Sequence, residues 1–175
     1  MKLLLYCTKA NSYLYGMYSG FESKYGYHLT NDKKVFEQHN VLNGKIVAEC
    51  DFEVEEISIE KCLVAENYTT NTMDMNKLLK CSCLTEHELI NYEPKYAIHI
   101  KNLHIFDEPK ELYDYSTDFP IYPIVKAPQN MMYCYGENIG DKYILISIRP
   151  EWLCKILNGE KTIEVRKKVL KEMLE

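Results

Sequence analysis

The strongest constraint on the fold is a long run in which apolar and acidic side chains alternate. Residues 45–59 read KIVAECDFEVEEISI and follow Asn43-Gly44, a dipeptide typical of tight turns. The apolar face carries Ile46, Ala48, Cys50, Phe52 and Val54, and the acidic face carries Glu49, Asp51, Glu53 and Glu55. Because side chains alternate in a strand, this pattern predicts a half-buried antiparallel strand. A strand of this length is expected to bend around a small barrel.

Further apolar runs predict strands elsewhere in the chain. These runs are KLLLYCT (2–8), YAIHIKNLHIF (96–106), YILISI (143–148) and KTIEVR (161–166). Pro150 at a first helical position and the Asn158-Gly159 stop predict a helix between the last two strands. The strands and helices together predict an α+β fold in one domain covering residues 1–175.

The remaining segments have weaker patterns. Residues 61–92 have polar helical spacing, and Thr85 with Glu88 predicts a capping box. Residues 9–40 and the Pro-rich stretch 116–136 predict mostly loop, with a helical turn near VFEQH. Residues 169–175 predict a terminal helix.

Composition limits the partners and the compartment. The formal net charge is −5, which argues against the broad basic surface that binds phosphate backbones but still allows a small basic pocket. The N-terminal Leu run is too short for a signal sequence, and no apolar stretch is long enough to span a membrane. Seven cysteines without a disulfide-scaffold spacing predict reduced thiols in the cytoplasm.

The chain has only two arginines, Arg149 and Arg166, and both lie near the predicted strand–helix–strand segment with Lys161 and Glu164. Strand alternation alone would make Glu164 and Arg166 an ordinary solvent-exposed pair. If the segment folds back on itself, Arg149 also approaches Glu164. A carboxylate between two guanidinium groups would stay ionised and would leave planar donors for a phosphate or a base edge.

The residues G159-E-K161-x-x-E164-x-R166 match the G-x-K-x-x-E-x-R signature of the ASCH domains, a branch of the PUA-like superfamily. The flanking residues 143–168 resemble that family's opening strand–helix–strand, and residues 1–10, 43–60 and 95–113 resemble its later strands. The resemblance implies a small PUA-like (ASCH-like) β-barrel with peripheral helices, in which residues 143–168 complete the barrel. The signature normally comes first, so the order implies either a circular permutation or the start of a second copy.

The resemblance also implies a cleft that binds RNA or a nucleotide-like molecule. Its predicted ligand-binding residues are Arg149, Lys161, Glu164, Arg166, Tyr6 and Thr8, with the last two supplying hydroxyl groups. The loop 126–130 offers amides suited to an unpaired base.

Two alternatives stay open. The first is an amidohydrolase that acts on acetylated cytidine, or a nuclease, with Lys161, Glu164 and Glu49 as candidate catalytic residues. The enzymes of this family have a hydroxyl where this chain has Glu164, and the carboxylate beside Lys161 is expected to raise the lysine pKa rather than lower it. The second alternative is an adaptor that binds a protein partner through the acidic face of residues 49–55. No cofactor or metal site is predicted, because Cys81, Cys83 and His87 lack a fourth ligand at zinc spacing.

Overall fold

A computed structural model describes residues 1–9, 15–19, 26–39, 41–118, 121–138 and 140–175. The predicted α+β class is confirmed. The chain forms two compact units, the first made of Met1–Asp51 and Asn102–Asn158 and the second of Phe52–Lys101 and Gly159–Glu175. The single domain over 1–175 stays a prediction.

The strands are β1 (Lys2–Cys7), β2 (Gly16–Ser19), β3 (Tyr27–Thr30), β4 (Ile46–Glu56), β5 (Ile59–Cys62), β6 (Asn67–Thr70), β7 (Tyr96–Lys110), β8 (Met131–Tyr135), β9 (Lys142–Ile148) and β10 (Ile163–Arg166). The helices are α1 (Lys33–Gln38), α2 (Met75–Ser82), α3 (Glu86–Tyr92) and α4 (Pro150–Leu157). Strands β4 and β7 contribute residues to both units.

In the first unit, the strands run in the order β7-β4-β1-β9-β8. Strand β1 pairs in parallel with β9 from Lys2↔Tyr143 to Cys7↔Ile148, and antiparallel with β4. Five of the six β1 residues are buried. This burial fits its continuous apolar sequence, because a strand flanked by neighbours and covered on both faces needs no polar side.

The core of the first unit is rich in tyrosine. Tyr6 and Tyr115 are both buried, and the Tyr115 ring meets the Tyr143 ring edge-on at 5.8 Å between centroids. The buried residues of this cluster are Leu4, Tyr6, Ile46, Tyr115, Ile124, Cys134 and Leu145.

In the second unit, the strand order is β10-β7-β4, and β5 and β6 form a separate antiparallel hairpin. Strand β10 pairs antiparallel with β7, from Ile163↔His99 to Arg166↔Tyr96. Helices α2 and α3 cover a core made of Ile57, Met73, Leu78, Leu89, Ala97, Ile163 and Val165.

Most of the predicted elements are confirmed. The five predicted strands correspond to β1, β4, β7, β9 and β10, and the helix that begins at Pro150 corresponds to α4. The residue after its cap, Gly159, has the left-handed φ of 77° expected at a helix stop. The predicted capping box is present, because the Thr85 hydroxyl accepts a hydrogen bond from the Glu88 amide and the Glu88 carboxylate accepts one from the Thr85 amide.

Other predictions were wrong in segments whose strands have no clear alternating pattern in the sequence. Residues 61–70, predicted as helical, belong to the β5–β6 hairpin, and the stretch 116–136, predicted as loop, contains β8. Within 9–40, the predicted helical turn is α1, but β2 and β3 form a hairpin in a stretch predicted as loop; positions 10–14, 20–25 and 40 lie outside the described residues. Segment 169–175 has one 3₁₀ turn, Lys171–Met173, in place of the predicted helix.

Candidate functional site

Three residues of the signature lie together in the second unit. The Lys161 ammonium group donates a 2.6 Å hydrogen bond to the Ser82 carbonyl and lies 3.3 Å from a Glu164 carboxylate oxygen. The other carboxylate oxygen of Glu164 lies 3.0 Å from an Arg166 guanidinium nitrogen. The Glu164 carboxylate is therefore held between one ammonium group and one guanidinium group, whereas the sequence predicted two guanidinium groups.

The backbone fixes this cluster to the end of helix α2. Ser82 is the last residue of α2, where carbonyl groups lack helical partners and carry the negative end of the helix dipole. The Thr162 amide donates to the Cys81 carbonyl at 2.9 Å, and the Cys83 thiol donates to the Glu160 carbonyl at 3.4 Å. The buried Lys161 ammonium group gives the Ser82 carbonyl a hydrogen-bond partner that the helix does not provide. It thereby links the end of α2 to the residues that lead into β10.

Burial dominates the electrostatics of Lys161. The residue is 2% exposed, and this burial lowers its pKa below the ordinary value, although Glu164 acts in the opposite direction. The neighbouring carboxylate acts in the expected direction and raises the pKa, but burial, which the sequence does not reveal, outweighs it and the net shift is downward.

Arg149 belongs to the first unit and lies at the N-cap of α4. Its side chain is exposed and makes no capping hydrogen bond.

The acidic face of β4 is paired with neighbouring side chains. In the first unit, Glu49 lies 2.9 Å from the Lys2 ammonium group, and Asp51 accepts a 2.8 Å hydrogen bond from the Asn102 amide. In the second unit, Glu53 lies 2.6 Å from the Lys101 ammonium group, and Glu55 lies 3.0 Å from the His99 ring. These four carboxylates therefore each have an ion-pair or hydrogen-bond partner on β1 or β7.

A cavity of about 750 Å³ opens in the first unit. This volume is within the range of small-molecule sites, about 300–1,000 Å³. Its lining residues are Tyr6, Thr8, Lys9, Asn43, Gly44, Lys45, Glu111, Leu112, Tyr113, Ile124, Val125, Lys126, Ala127, Pro128 and Ser147.

One wall of this cavity is built where β1 ends against the start of β4. The strand register shifts between Leu5 and Tyr6, and the Gly44 amide donates to the Cys7 carbonyl at 2.7 Å. Gly44 has a φ of 76°, which a residue with a side chain rarely adopts. Asn43 secures the turn, because its side-chain amide donates to the Thr8 carbonyl and its side-chain oxygen accepts from the Met17 amide.

Residues 126–128 form another part of the cavity lining, and the loop that carries them is bonded to β9. The Ser147 hydroxyl donates to the Pro128 carbonyl at 2.6 Å, and the Ser147 amide donates to the Asn130 carbonyl at 3.0 Å. These bonds hold the polar backbone of the loop beside the hydroxyl-bearing end of β1.

The chemistry of the cavity is cationic and hydroxyl-rich. Lys9, Lys45 and Lys126 line it, and the single lining carboxylate, Glu111, is ion-paired with Lys45. Burial raises the pKa of Tyr6 above the ordinary tyrosine value, which already lies well above neutral pH, so its hydroxyl is a proton donor there. Ammonium and hydroxyl groups of this kind suit a phosphate and a polar ring edge.

The structure thus brings together the predicted site residues in two groups. Tyr6 and Thr8 share the first-unit cavity with the loop 126–128, and Lys161, Glu164 and Arg166 form the second-unit cluster. The sequence predictions missed Lys9, Lys45, Glu111 and Tyr113. Antiparallel pairing of the strands that end at Thr8 and begin after Gly44 would have placed Lys9 and Lys45 at the same end of the sheet.

Cys83 and His87, which were considered as zinc ligands in the sequence, have other polar neighbours in the structure. Cys83 bonds to backbone carbonyls, and the His87 ring lies within hydrogen-bonding distance of the Asn91 amide. Within the described ranges, no three His, Cys, Asp or Glu residues are grouped so that they could hold a metal ion.

Comparisons with protein-family models, with curated proteins and with solved structures each give no match to this chain. Among the described helices, the longest have eight residues, and none has the length and apolar character needed to cross a membrane.

Proposed function

We propose that this chain is a nucleotide-binding module and that its site is the first-unit cavity. The bound unit is a nucleotide, either free in solution or as an unpaired residue of a single-stranded RNA. The observation that carries the proposal is the convergence of three lysines with the hydroxyl groups of Tyr6 and Thr8 around one cavity of suitable size. Lysine supplies the point charge that binds phosphate, and hydroxyl groups can both donate to and accept from a base or sugar.

The ASCH-like, PUA-like barrel is part of the same proposal. Supporting it, β9, α4 and β10 follow one another in the strand–helix–strand order that the resemblance implies. In this account the signature residues Lys161, Glu164 and Arg166 stabilise the second unit. We also propose a cytoplasmic setting, which fits seven cysteines that are all thiols.

Isothermal titration calorimetry with the four nucleoside 5′-monophosphates tests the proposal. Lys126→Ala and Lys9→Ala each remove one phosphate partner, so each is expected to weaken binding about tenfold. Lys61→Ala is a matched control, because Lys61 is an exposed lysine of the second unit. Parallel titrations with inorganic phosphate and with nucleosides separate recognition of the phosphate from recognition of the base and sugar.

The affinity should fall with salt as expected for one or two phosphate contacts. Absence of binding by all four nucleotides, or equal losses in Lys126→Ala and Lys61→Ala, contradicts the proposed site.

An amidohydrolase or nuclease is the second candidate, and the lowered pKa of Lys161 is the observation that favours it. Its burial at 2% exposure and its bond to the Ser82 carbonyl favour a structural role more strongly. The adaptor alternative draws no support from β4, because the carboxylates of its acidic face have partners within their own units.

A further inference from the structure

Four large apolar side chains are exposed on one segment of the first unit. Tyr113 is 65% exposed, Ile121 63%, Tyr122 62% and Val125 90%. Tyr113 and Val125 also line the cavity, so the exposed segment continues its rim. Large apolar side chains exposed beside a cavity are candidates for an interaction site.

The described parts of this segment, residues 113–118 and 121–125, are joined by backbone hydrogen bonds. The Thr117 amide donates to the Tyr122 carbonyl at 2.8 Å, and the Ile124 amide donates to the Tyr115 carbonyl at 2.9 Å. Tyr115 and Ile124 are buried in the core, so they anchor the segment from beneath. The two exposed tyrosines are therefore presented by an anchored backbone, which lowers the conformational entropy lost on binding.

The charges around the segment favour an anionic partner at the cavity side. Lys126 follows Val125 directly and is exposed, as is Lys9 across the cavity. Of the nearby carboxylates, Glu111 is paired with Lys45 and Asp114 accepts a hydrogen bond from the Glu111 amide. Asp118 follows Thr117, which bonds to Tyr122, so the cationic side of the segment is the cavity side. Aromatic rings beside lysines form the surface on which single-stranded nucleic acids stack their bases.

We propose that Tyr113 and Tyr122 stack on the bases that flank the nucleotide in the cavity, so that the ligand is a single strand of at least three nucleotides. This inference rests on the proposed function, because the strand is positioned by its nucleotide in the cavity. Stacking tolerates different bases, since every base has a π-face. The chemistry is shared by single-stranded RNA and DNA, and the two differ only in the sugar that the cavity receives.

The test compares nucleoside 5′-monophosphates with the matching ribo- and deoxyribo-pentanucleotides. Pentanucleotides are expected to bind at least tenfold more tightly than the monophosphates. Tyr122→Ala is expected to weaken pentanucleotide binding about tenfold and to leave monophosphate binding unchanged, because Tyr122 does not line the cavity. Tyr122→Phe keeps the ring and should keep the affinity. Tyr92→Ala, a change to a tyrosine of the second unit, is the matched control.

The outcomes separate the two proposals. Pentanucleotides that bind no better than monophosphates, or a Tyr122→Ala variant that affects both ligands equally, overturn the stacking platform and leave the nucleotide site intact. Absence of monophosphate binding in the wild-type protein overturns the nucleotide site, and the platform with it. Tighter binding of the ribo-pentanucleotide than of its deoxy counterpart supports RNA as the source of the strand. Equal binding of the two supports recognition of single strands of either kind.

Discussion

Lys161 is a charged side chain that the fold buries among close polar partners. Its ammonium group is almost fully buried, bonded to the Ser82 carbonyl and adjacent to the Glu164 carboxylate. A buried charge is costly unless it has close partners, and these two partners offset that cost. The signature lysine therefore connects the end of α2 to the strand β10.

Replacing this lysine should destabilise the protein strongly. Lys161→Ala leaves the Glu164 carboxylate and the Ser82 carbonyl buried with one partner fewer, and the expected loss is about 3 kcal/mol in the free energy of unfolding. Urea unfolding followed by circular dichroism measures this loss. The exposed Lys61→Ala should change it by less than about 0.5 kcal/mol. A Lys161→Ala variant as stable as that control would contradict the structural role.

The strands of the first unit bury thiols on their covered faces. Burial raises the pKa of Cys7 on β1, Cys50 on β4 and Cys134 on β8, each to about 12. The nucleophile in alkylation is the thiolate, so these three groups should be inert at neutral pH. Cys62, Cys81 and Cys83 are only partly buried.

Alkylation by iodoacetamide at pH 8, followed by peptide mass spectrometry, is expected to label Cys62, Cys81 and Cys83 in the native protein and to spare the three strand thiols. In an unfolded chain the strand thiols lose their protons near the ordinary pKa of about 9, whereas in the native state they keep them to about 12. Their contribution to stability is therefore complete below pH 9 and is lost as the pH rises toward 12. Rapid labelling of Cys50 in the native protein would show that β4 is not packed as described. Alkylation in urea, where all seven should react, is the control.

The sequence predicted those elements whose pattern has a physical period. Strand β4 alternates at every second residue, and α3 begins with a capping box that is visible as Thr85 and Glu88. Hairpin β5–β6 was missed because neither strand has a fully buried residue, so no apolar face appears in its sequence. Strand β8 was hidden by the prolines of the loop that precedes it.

At the scale of the whole molecule, spacing along the sequence did not show which of the two compact units each predicted site residue belongs to. Tyr6 and Thr8 were predicted to lie in one cleft with Arg149, Lys161, Glu164 and Arg166. The structure places Tyr6 and Thr8 beside the first-unit cavity, and it places Lys161, Glu164 and Arg166 in a buried cluster of the second unit. Strands β4 and β7 each contribute residues to both units. Residues that are neighbours along the chain can therefore belong to different units.

The most direct test of the proposed nucleotide site is a titration of ¹⁵N-labelled protein with the tightest-binding nucleoside monophosphate, followed by amide chemical shifts. Binding in the first-unit cavity should produce the largest changes at Thr8, Lys9, Gly44 and Lys126, with little change in residues 161–166. Shifts concentrated in residues 161–166, with the amides of the first-unit cavity unchanged, would contradict it and would return the binding site to the signature cluster.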